Sequence, residues 1–314
     1  MQTISSFFKL IRWPNLLIIF LTQLLFEYCI IHPILEQQGM PLAAGSKDFL
    51  IIVFSFQLIA AAGYIINDWY DLPLDRVNKP QKVYISRTIS KSAALLVYFL
   101  MNAVALLLVG FVSGSREQLF LLVCILLCEL LLFFYSAWFK KRFLIGNLIV
   151  AVITASAIPV LLLPVGPTYL FTGNASGNLL QLTLLYTGFA FLITFVREVV
   201  KDLEDEPGDR MYGCHTMPII LGAKSVHRIA GITVVVLVLV ISMLQPFLWK
   251  TGMKPQLLSL YSIALVLVPL GFIAKRIFKN AATVKEYHQL SSNIKIVMLT
   301  GILSMLFFLF INVK

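Results

Sequence analysis

The chain has 314 residues, of which 59% are hydrophobic and only 13% charged, and its mean hydropathy is +0.90. This composition excludes an ordinary soluble domain and indicates a polytopic membrane protein. The formal net charge of +10 is compatible with a nucleic-acid partner, so the distribution of the basic residues has to be considered.

Apolar runs long enough to cross a bilayer as a helix, about 20 residues, occur nine times along the chain. The first follows Lys9 and Arg12 and lacks a small-residue cleavage site, so we interpret it as a retained span. The polar segment 165–178, rich in Gly, Pro, Ser and Asn, is expected to be a loop. The predicted spans are 14–32, 48–67, 92–113, 117–138, 144–164, 179–199, 226–249, 256–278 and 293–312.

The basic residues are distributed very unevenly over this topology. Twenty of the 25 Lys and Arg residues fall on the side that holds the N-terminus and the loops after spans two, four, six and eight. By the positive-inside rule this side is cytoplasmic and the C-terminus lies outside. The excess charge is therefore explained without nucleic acid, and we expect a multi-pass protein of a prokaryotic cytoplasmic membrane.

The acidic residues are also concentrated, because six of the seven aspartates lie in two clusters where predicted spans end. Both clusters read D-x-x-D-x-x-x-D-R, as "DWYDLPLDR" (68–76) and "DLEDEPGDR" (202–210). Offsets of three and seven residues return to nearly the same helix face. Pro73 and Pro207 predict a bent or unwound turn before each third carboxylate.

Carboxylates placed so close together repel one another unless a cation neutralises them. Mg²⁺ meets this need, since it binds through one or two carboxylates together with water and substrate phosphate oxygens. Neighbouring Lys and Arg side chains can add charge-assisted contacts to the same phosphates. One acidic loop at a membrane surface would usually be merely solvated, but the repeated spacing favours a Mg²⁺-bridged diphosphate.

These motifs carry a family resemblance. Asn67, Asp68, Asp71 and Asp75 meet the signature N-D-x-x-D-x-x-x-D of the UbiA-type intramembrane prenyltransferases. The second signature, D-x-x-x-D, is met by Asp205 and Asp209, with Asp202 as a further acid. The segments "YSAWFKKRFLIGN" (135–147) and "GCHTMPIILG" (213–222) are also similar, so the chain resembles this family over essentially its whole length.

The resemblance implies an all-α fold of nine transmembrane helices around a central cavity, formed by one domain over residues 1–314. Two acidic loops, about 67–91 and 201–224, would cap its cytoplasmic mouth. It also implies that Mg²⁺ and the aspartates hold a prenyl diphosphate donor, whose ionised carbon is attacked by a small-molecule acceptor. The implied metal ligands are Asn67, Asp68, Asp71, Asp75, Asp202, Asp205 and Asp209, with Asp68, Asp71, Asp205 and Asp209 as catalytic residues.

Several polar residues are candidates for substrate binding. Many members of the family continue after the first motif with R-P-x-P-S-G-R, whereas this chain reads "QKVYISRTIS" (81–90), so a lysine stands in the usual arginine position. A lysine neutralises phosphate as a point charge but lacks the bidentate fork of arginine. Other candidates could equally be ordinary basic or helix-capping residues. The expected substrate-binding residues are Asn15, Asn67, Lys82, Arg87, Lys140 and Arg197.

The sequence does not identify the acceptor of the prenyl group. "KDLEDEPGDR" with "TMPIILG" resembles branches that prenylate glycerol phosphate derivatives, as in ether-lipid synthesis, and also chlorophyll-type synthases. An aromatic quinone precursor, such as 4-hydroxybenzoate or dihydroxynaphthoate, is the alternative, and a cyclase or hydrolase would need the same metal site. A cation-coupled transporter is disfavoured because the acids gather at one membrane face.

Glu129, within the fourth span, is either an acceptor ligand or a neutral structural residue.

Overall fold

The computed structural model describes residues 2–37, 46–78, 80–112, 114–165, 176–250, 253–279 and 283–311. Within these ranges the chain is helical nearly throughout, and the only extended pairing is an isolated bridge between Ile85 and Ile89. Nine of the described helical stretches are long and apolar enough to cross a membrane. The predicted all-α fold with nine spans is therefore confirmed.

The helices are α1 (Gln2–Leu10), α2 (Trp13–Phe26), α3 (His32–Gln37), α4 (Ser46–Tyr70), α5 (Leu72–Asn78), α6 (Lys91–Val109), α7 (Ser115–Ala137), α8 (Ile145–Ser156), α9 (Ser176–Met211), α10 (Met217–Leu221), α11 (Ala223–Lys250), α12 (Met253–Ser262), α13 (Val268–Phe278) and α14 (Val284–Leu303). A π-helical turn, Glu27–Ile31, joins α2 to α3 in the first span. A second π-helical turn, Ile263–Leu267, joins α12 to α13 in the eighth.

Both acidic motifs lie at one end of the bundle, which we call the N-terminal face. The even-numbered spans run toward this face, so the first motif follows span two and the second closes span six. The short helices α1, α5 and α10 lie at the same face, as does the 3₁₀ turn Phe139–Lys141. Elements distant in sequence are thus placed around one polar region.

Helix α9 is the central packing element of the second half of the chain. It packs against α8, α11 and α14, and on the N-terminal face it also contacts α5. Val196, Val199 and Val200 on α9 are fully buried among these helices. Outward-facing residues such as Phe99, Leu107 and Leu119 are more than half exposed, as expected for side chains that face lipid. Apolar packing therefore holds α9, and the motif at its end, in a defined position.

The first acidic motif contains a break of one residue. Helix α4 ends at Tyr70 and α5 begins at Leu72, with Pro73 in its first turn, where a missing N–H costs little. Helical hydrogen bonding nevertheless continues, since Asp71 N donates to Asn67 O at 2.9 Å and Asp75 N donates to Asp71 O at 2.8 Å. The predicted unwound turn before the third carboxylate is therefore limited to the single residue Asp71.

For the second motif the predicted loop 201–224 is wrong over its first half, because α9 continues through Pro207 to Met211. Gly213 follows the end of the helix, and its φ of +65° suits a residue without a side chain. There Gly213 N donates to Arg210 O at 3.3 Å, and Cys214 N donates to Asp209 O at 2.9 Å. This pair of bonds satisfies the last carbonyls, so all three aspartates of the motif remain helical.

The last span also begins earlier than the predicted residue 293, because α14 starts at Val284. Thr283 caps it: its hydroxyl accepts from Glu286 N at 3.3 Å, and the Glu286 carboxylate accepts from Thr283 N at 3.1 Å. This capping box satisfies two N-terminal groups and starts the helix within a polar stretch that hydropathy does not mark as a span. The polar start of α14 consequently packs against the end of α9.

The crossing of α14 and α9 is close at Gly301, and this generates a stability prediction. A β-carbon at Gly301 would lie 2.6 Å from the Phe189 ring on α9, whereas one at Gly271 would meet nothing within 4 Å. We expect Gly301→Ala to lower stability by about 1–3 kcal/mol, because the ring must move. The control Gly271→Ala should be neutral or stabilising, because alanine favours helix. Thermal unfolding of both variants in detergent is the measurement, and equal melting temperatures would contradict the close crossing.

Candidate functional site

The first motif is organised around Asp71, which is buried at the end of α4. Asn67 Nδ2 donates to Asp71 Oδ2 at 2.9 Å, and the ammonium of Lys140 forms an ion pair with the same oxygen. Burial disfavours the charge on Lys140, but attraction to Asp71 outweighs it and holds the pKa of Lys140 well above its usual value. Asp71 is thus paired with a lysine from the turn after α7.

Asp68 is neutralised from the other side by Arg12, which precedes α2. Arg12 Nη2 lies 2.6 Å from Asp68 Oδ1, and its guanidinium stacks over the Tyr64 ring at 5.0 Å. Burial opposes the charge, but Asp68 outweighs it and raises the pKa of Arg12 above its ordinary value. Asn15 Nδ2 donates to Tyr64 Oη at 3.1 Å, which completes this arrangement.

The second motif lies on the last turns of α9 and is supported by α8. Asn147 Nδ2 donates to Asp202 Oδ2 at 2.8 Å. One turn earlier, Glu198 Oε1 accepts from Arg197 Nη1 at 2.9 Å, and Glu198 Oε2 accepts from Lys201 Nζ at 2.9 Å. Glu198 and Asp202 are repulsive neighbours at i and i+4. The two cations and the asparagine amide offset that repulsion.

The two motifs are brought together at the N-terminal face. Helix α5 contacts α9, and Tyr212 Oη donates to the Pro73 carbonyl at 2.9 Å. The segment after α9 is tied to the turn that carries Lys140, because His215 N donates to Lys141 O at 2.8 Å. Lys140 interacts electrostatically with Asp209 as well as with Asp71. One lysine therefore lies between the two acidic motifs.

The donor set suits Mg²⁺ held jointly by protein and substrate. Among the residues that the structure describes, no three His, Cys, Asp or Glu side chains form a group that could hold a metal ion by themselves. Mg²⁺ keeps several waters and typically binds one or two carboxylates plus substrate phosphates, so a complete protein cage is not needed. Carboxylates on two facing helices, with Lys140 between them, fit an ion that bridges to a diphosphate.

The remaining predicted site residues differ in how deeply they are buried. Asp75 is half-buried on α5, and Asp205 and Asp209 are half-buried and buried on α9. Arg87 is exposed in the turn after Tyr84, and no hydrogen bond links its side chain to a described residue. The side chain of Lys82 lies outside what the structure describes. The functional roles of all these residues stay predictions.

Arg12 and Asn147 contact the motifs, and Tyr64 contacts Arg12; all three are absent from the predicted site residues. From the sequence, Arg12 belongs to the basic residues that define the topology. Asn147 begins the fifth span, where the sequence predicts helix capping or interhelical hydrogen bonding, and its bond to Asp202 on α9 is of the second kind. Only the packing of α2 and α8 beside the motifs reveals their partners. Glu129 lies on α7 with its Oε1 buried and without a hydrogen-bond partner among the described residues, and no contact connects it to this site.

Comparisons with known proteins show the family and the fold of this chain. Residues 34–293 match the UbiA prenyltransferase family. The digeranylgeranylglyceryl phosphate synthase of Methanothermobacter thermautotrophicus is 32% identical over 77% of this chain and 76% of its own length. That of Saccharolobus solfataricus is 33% identical over 78% and 81%. A UbiA homologue from Archaeoglobus fulgidus, solved with GPP and Mg²⁺ bound, shares the fold with a TM-score of 0.61 at 16% identity, covering 96% of this chain and 99% of that one.

The bond between Asn147 and Asp202 leads to a prediction about activity. We expect Asn147→Ala to lower the rate of diphosphate release from a prenyl diphosphate about tenfold, because a hydrogen bond to a charged group contributes about 1.5–3 kcal/mol. Ser156→Ala on the same helix is the control, since its hydroxyl contacts Ile153 O and Cys128 and is bonded to no aspartate of the motifs. Equal rates for the two variants would show that Asn147 does not contribute to the site.

Proposed function

Since this chain belongs to the UbiA prenyltransferase family, we propose that it transfers a geranylgeranyl group from its diphosphate to the free hydroxyl of a prenylated glyceryl phosphate. The observation that carries the proposal is the pair of facing acidic motifs with Lys140 between them. The acceptor class is supported by the relatives in Methanothermobacter and Saccharolobus, each matched over more than three quarters of this chain. The product would be an ether lipid precursor.

In this proposal the donor diphosphate lies between the ends of α4 and α9. The metal ligands are Asn67, Asp68, Asp71, Asp75, Asp202, Asp205 and Asp209. When bound, Mg²⁺ supplies positive charge that offsets the charge of the departing diphosphate. Lys140 and Arg12 already neutralise Asp71 and Asp68, so each lies where it can also contact phosphate oxygens.

The transfer itself needs no covalent enzyme intermediate. The acceptor hydroxyl oxygen bonds to C1 of the prenyl group while the C1–oxygen bond to diphosphate breaks, and the hydroxyl proton passes to the released diphosphate. The apolar helices around the site keep water from the allylic carbon, which would otherwise be hydrolysed. Binding, charge neutralisation and exclusion of water are therefore the tasks of the protein.

We also propose that the N-terminal face is cytoplasmic, in the membrane of a prokaryote. The basis is the excess of Lys and Arg in the segments at this face. A soluble prenyl diphosphate made in the cytoplasm would then reach the motifs directly, while its chain enters the bilayer.

An acceptor panel tests the proposed reaction. Purified protein with labelled geranylgeranyl diphosphate and Mg²⁺ should label geranylgeranylglyceryl phosphate rather than 4-hydroxybenzoate or dihydroxynaphthoate, and EDTA should abolish the transfer. Asp68→Asn and Asp205→Asn should each reduce it at least about a hundredfold, since each removes charge from the metal site. Glu206→Gln, beside Asp205 but paired with the exposed Arg210, should retain activity. Labelling of an aromatic acceptor alone would refute the proposed acceptor.

Cysteine accessibility tests the orientation. Lys91 and Lys254 are exposed at opposite faces of the bundle. In intact cells a membrane-impermeant maleimide should label Lys254→Cys but not Lys91→Cys, and permeabilisation should make both reactive. The wild-type chain gives the background from its own cysteines. The opposite labelling pattern would place the acidic motifs outside.

A further inference from the structure

We propose that Arg197, Lys201 and Lys295 form a second anion site, beside the acidic motifs, that binds the phosphate monoester of the acceptor. The inference rests on the proposed function and specifies which residues select the acceptor. These cations lie on α9 and α14, whereas Lys140 lies in the turn after α7. The site would bind a phosphate group that takes no part in bond breaking.

The register of the two helices places Lys295 next to Arg197. Helices α9 and α14 belong to spans six and nine and run antiparallel. His288 Nδ1 on α14 lies 3.1 Å from Glu204 Oε1 on α9. Lys295 is seven residues further along α14 and Arg197 is seven residues back along α9, so both lie at one level. Seven residues are about two turns, which also returns each side chain to the same face.

The charges at this level do not balance. Glu198 is the partner of both Arg197 and Lys201. Arg197, Lys201 and Arg12 repel Lys295, and Glu198 attracts it. Lys295 forms no hydrogen bond or ion pair with a residue that the structure describes, and Arg197 Nε is buried without a partner among those residues. Arg197, Lys201 and Lys295 thus face two carboxylates, since Asp202 is attracted to Lys201 as well.

An uncompensated positive charge inside a membrane bundle is costly and by default indicates a functional site. Three positive charges against Glu198 and Asp202 leave an excess of positive charge, which a bound anion can neutralise. Arg197 offers an unused N–H and Lys295 a whole ammonium group. Guanidinium and ammonium N–H groups form the strongest hydrogen bonds to phosphate oxygens.

The position fits a glyceryl phosphate acceptor. Lys201 precedes Asp205 by four residues on α9, about 6 Å along the helix axis. In a glyceryl phosphate the reacting hydroxyl is only a few bonds from phosphorus. A phosphate held by Lys201 and Lys295 therefore leaves that hydroxyl close to the acidic motifs, where the donor carbon is expected. The prenyl chain already on the acceptor would extend among the apolar helices.

The test separates acceptor binding from donor binding. Lys295→Met and Lys201→Met should each raise the acceptor KM at least about tenfold, while the KM for geranylgeranyl diphosphate changes less than about twofold. Equilibrium binding of labelled geranylgeranylglyceryl phosphate in EDTA should weaken by the same factor. Lys295→Arg should retain most binding because it keeps the charge. Lys285→Met, at the exposed start of α14, is the matched control.

Further measurements decide between the possible outcomes. The thermal stability of Lys295→Met should equal or exceed that of the wild type, because the substitution removes an uncompensated charge. A loss of stability together with an unchanged acceptor affinity would show that Lys295 has a structural role and would overturn the inference. Competition by inorganic phosphate or by phosphatidylglycerol vesicles as effective as the acceptor itself would overturn acceptor selection at this site. Transfer by the wild type with an unchanged acceptor KM in the variants refutes this inference alone. Absence of transfer to any glyceryl phosphate refutes the proposed function as well.

Discussion

The repulsion among carboxylates gathered at one end of an apolar bundle is the constraint on which the rest of this structure depends. Each acidic motif is stabilised by a polar partner from a different helix: Arg12 for Asp68, Lys140 for Asp71, and the amide of Asn147 for Asp202. These partners come from the starts of α2 and α8 and from the turn after α7. Because repulsion is strongest where water is scarce, the fold must bring these distant segments together before the motifs are stable.

The same requirement explains the form of α9. A loop would leave the aspartates free to move apart into water, whereas a helix keeps them on one face toward the first motif. The helix passes Pro207 and ends with a left-handed glycine at position 213, after the last aspartate. Its buried valines fix the depth and rotation of the motif. Apolar packing in the membrane therefore sets the geometry of a charged site at the surface.

Two groups of cations lie near the acidic motifs of this bundle. Lys140 and Arg12 neutralise carboxylates of the motifs themselves. Arg197, Lys201 and Lys295 lie deeper and exceed the negative charge around them. A donor that carries a diphosphate and an acceptor that carries a phosphate both need cations, and two clusters would let each substrate be recognised without competing for the same ammonium group. The arrangement would therefore bind two anions side by side while leaving the reacting carbon in an apolar environment.

The sequence by itself determined the nine spans and the pairing of two aspartate motifs with the family signatures, because hydropathy and spacing are local properties. It did not reveal that α9 continues past Pro207 or that α14 begins at Val284, although Gly213 and the Thr283 capping box were visible signals. Hydropathy measures membrane burial, and these helix ends lie in polar stretches. Only the tertiary structure decided which cations meet which acids, since Arg12 and Asp68 are 56 residues apart. Such contacts depend on how the helices pack, which no local pattern specifies.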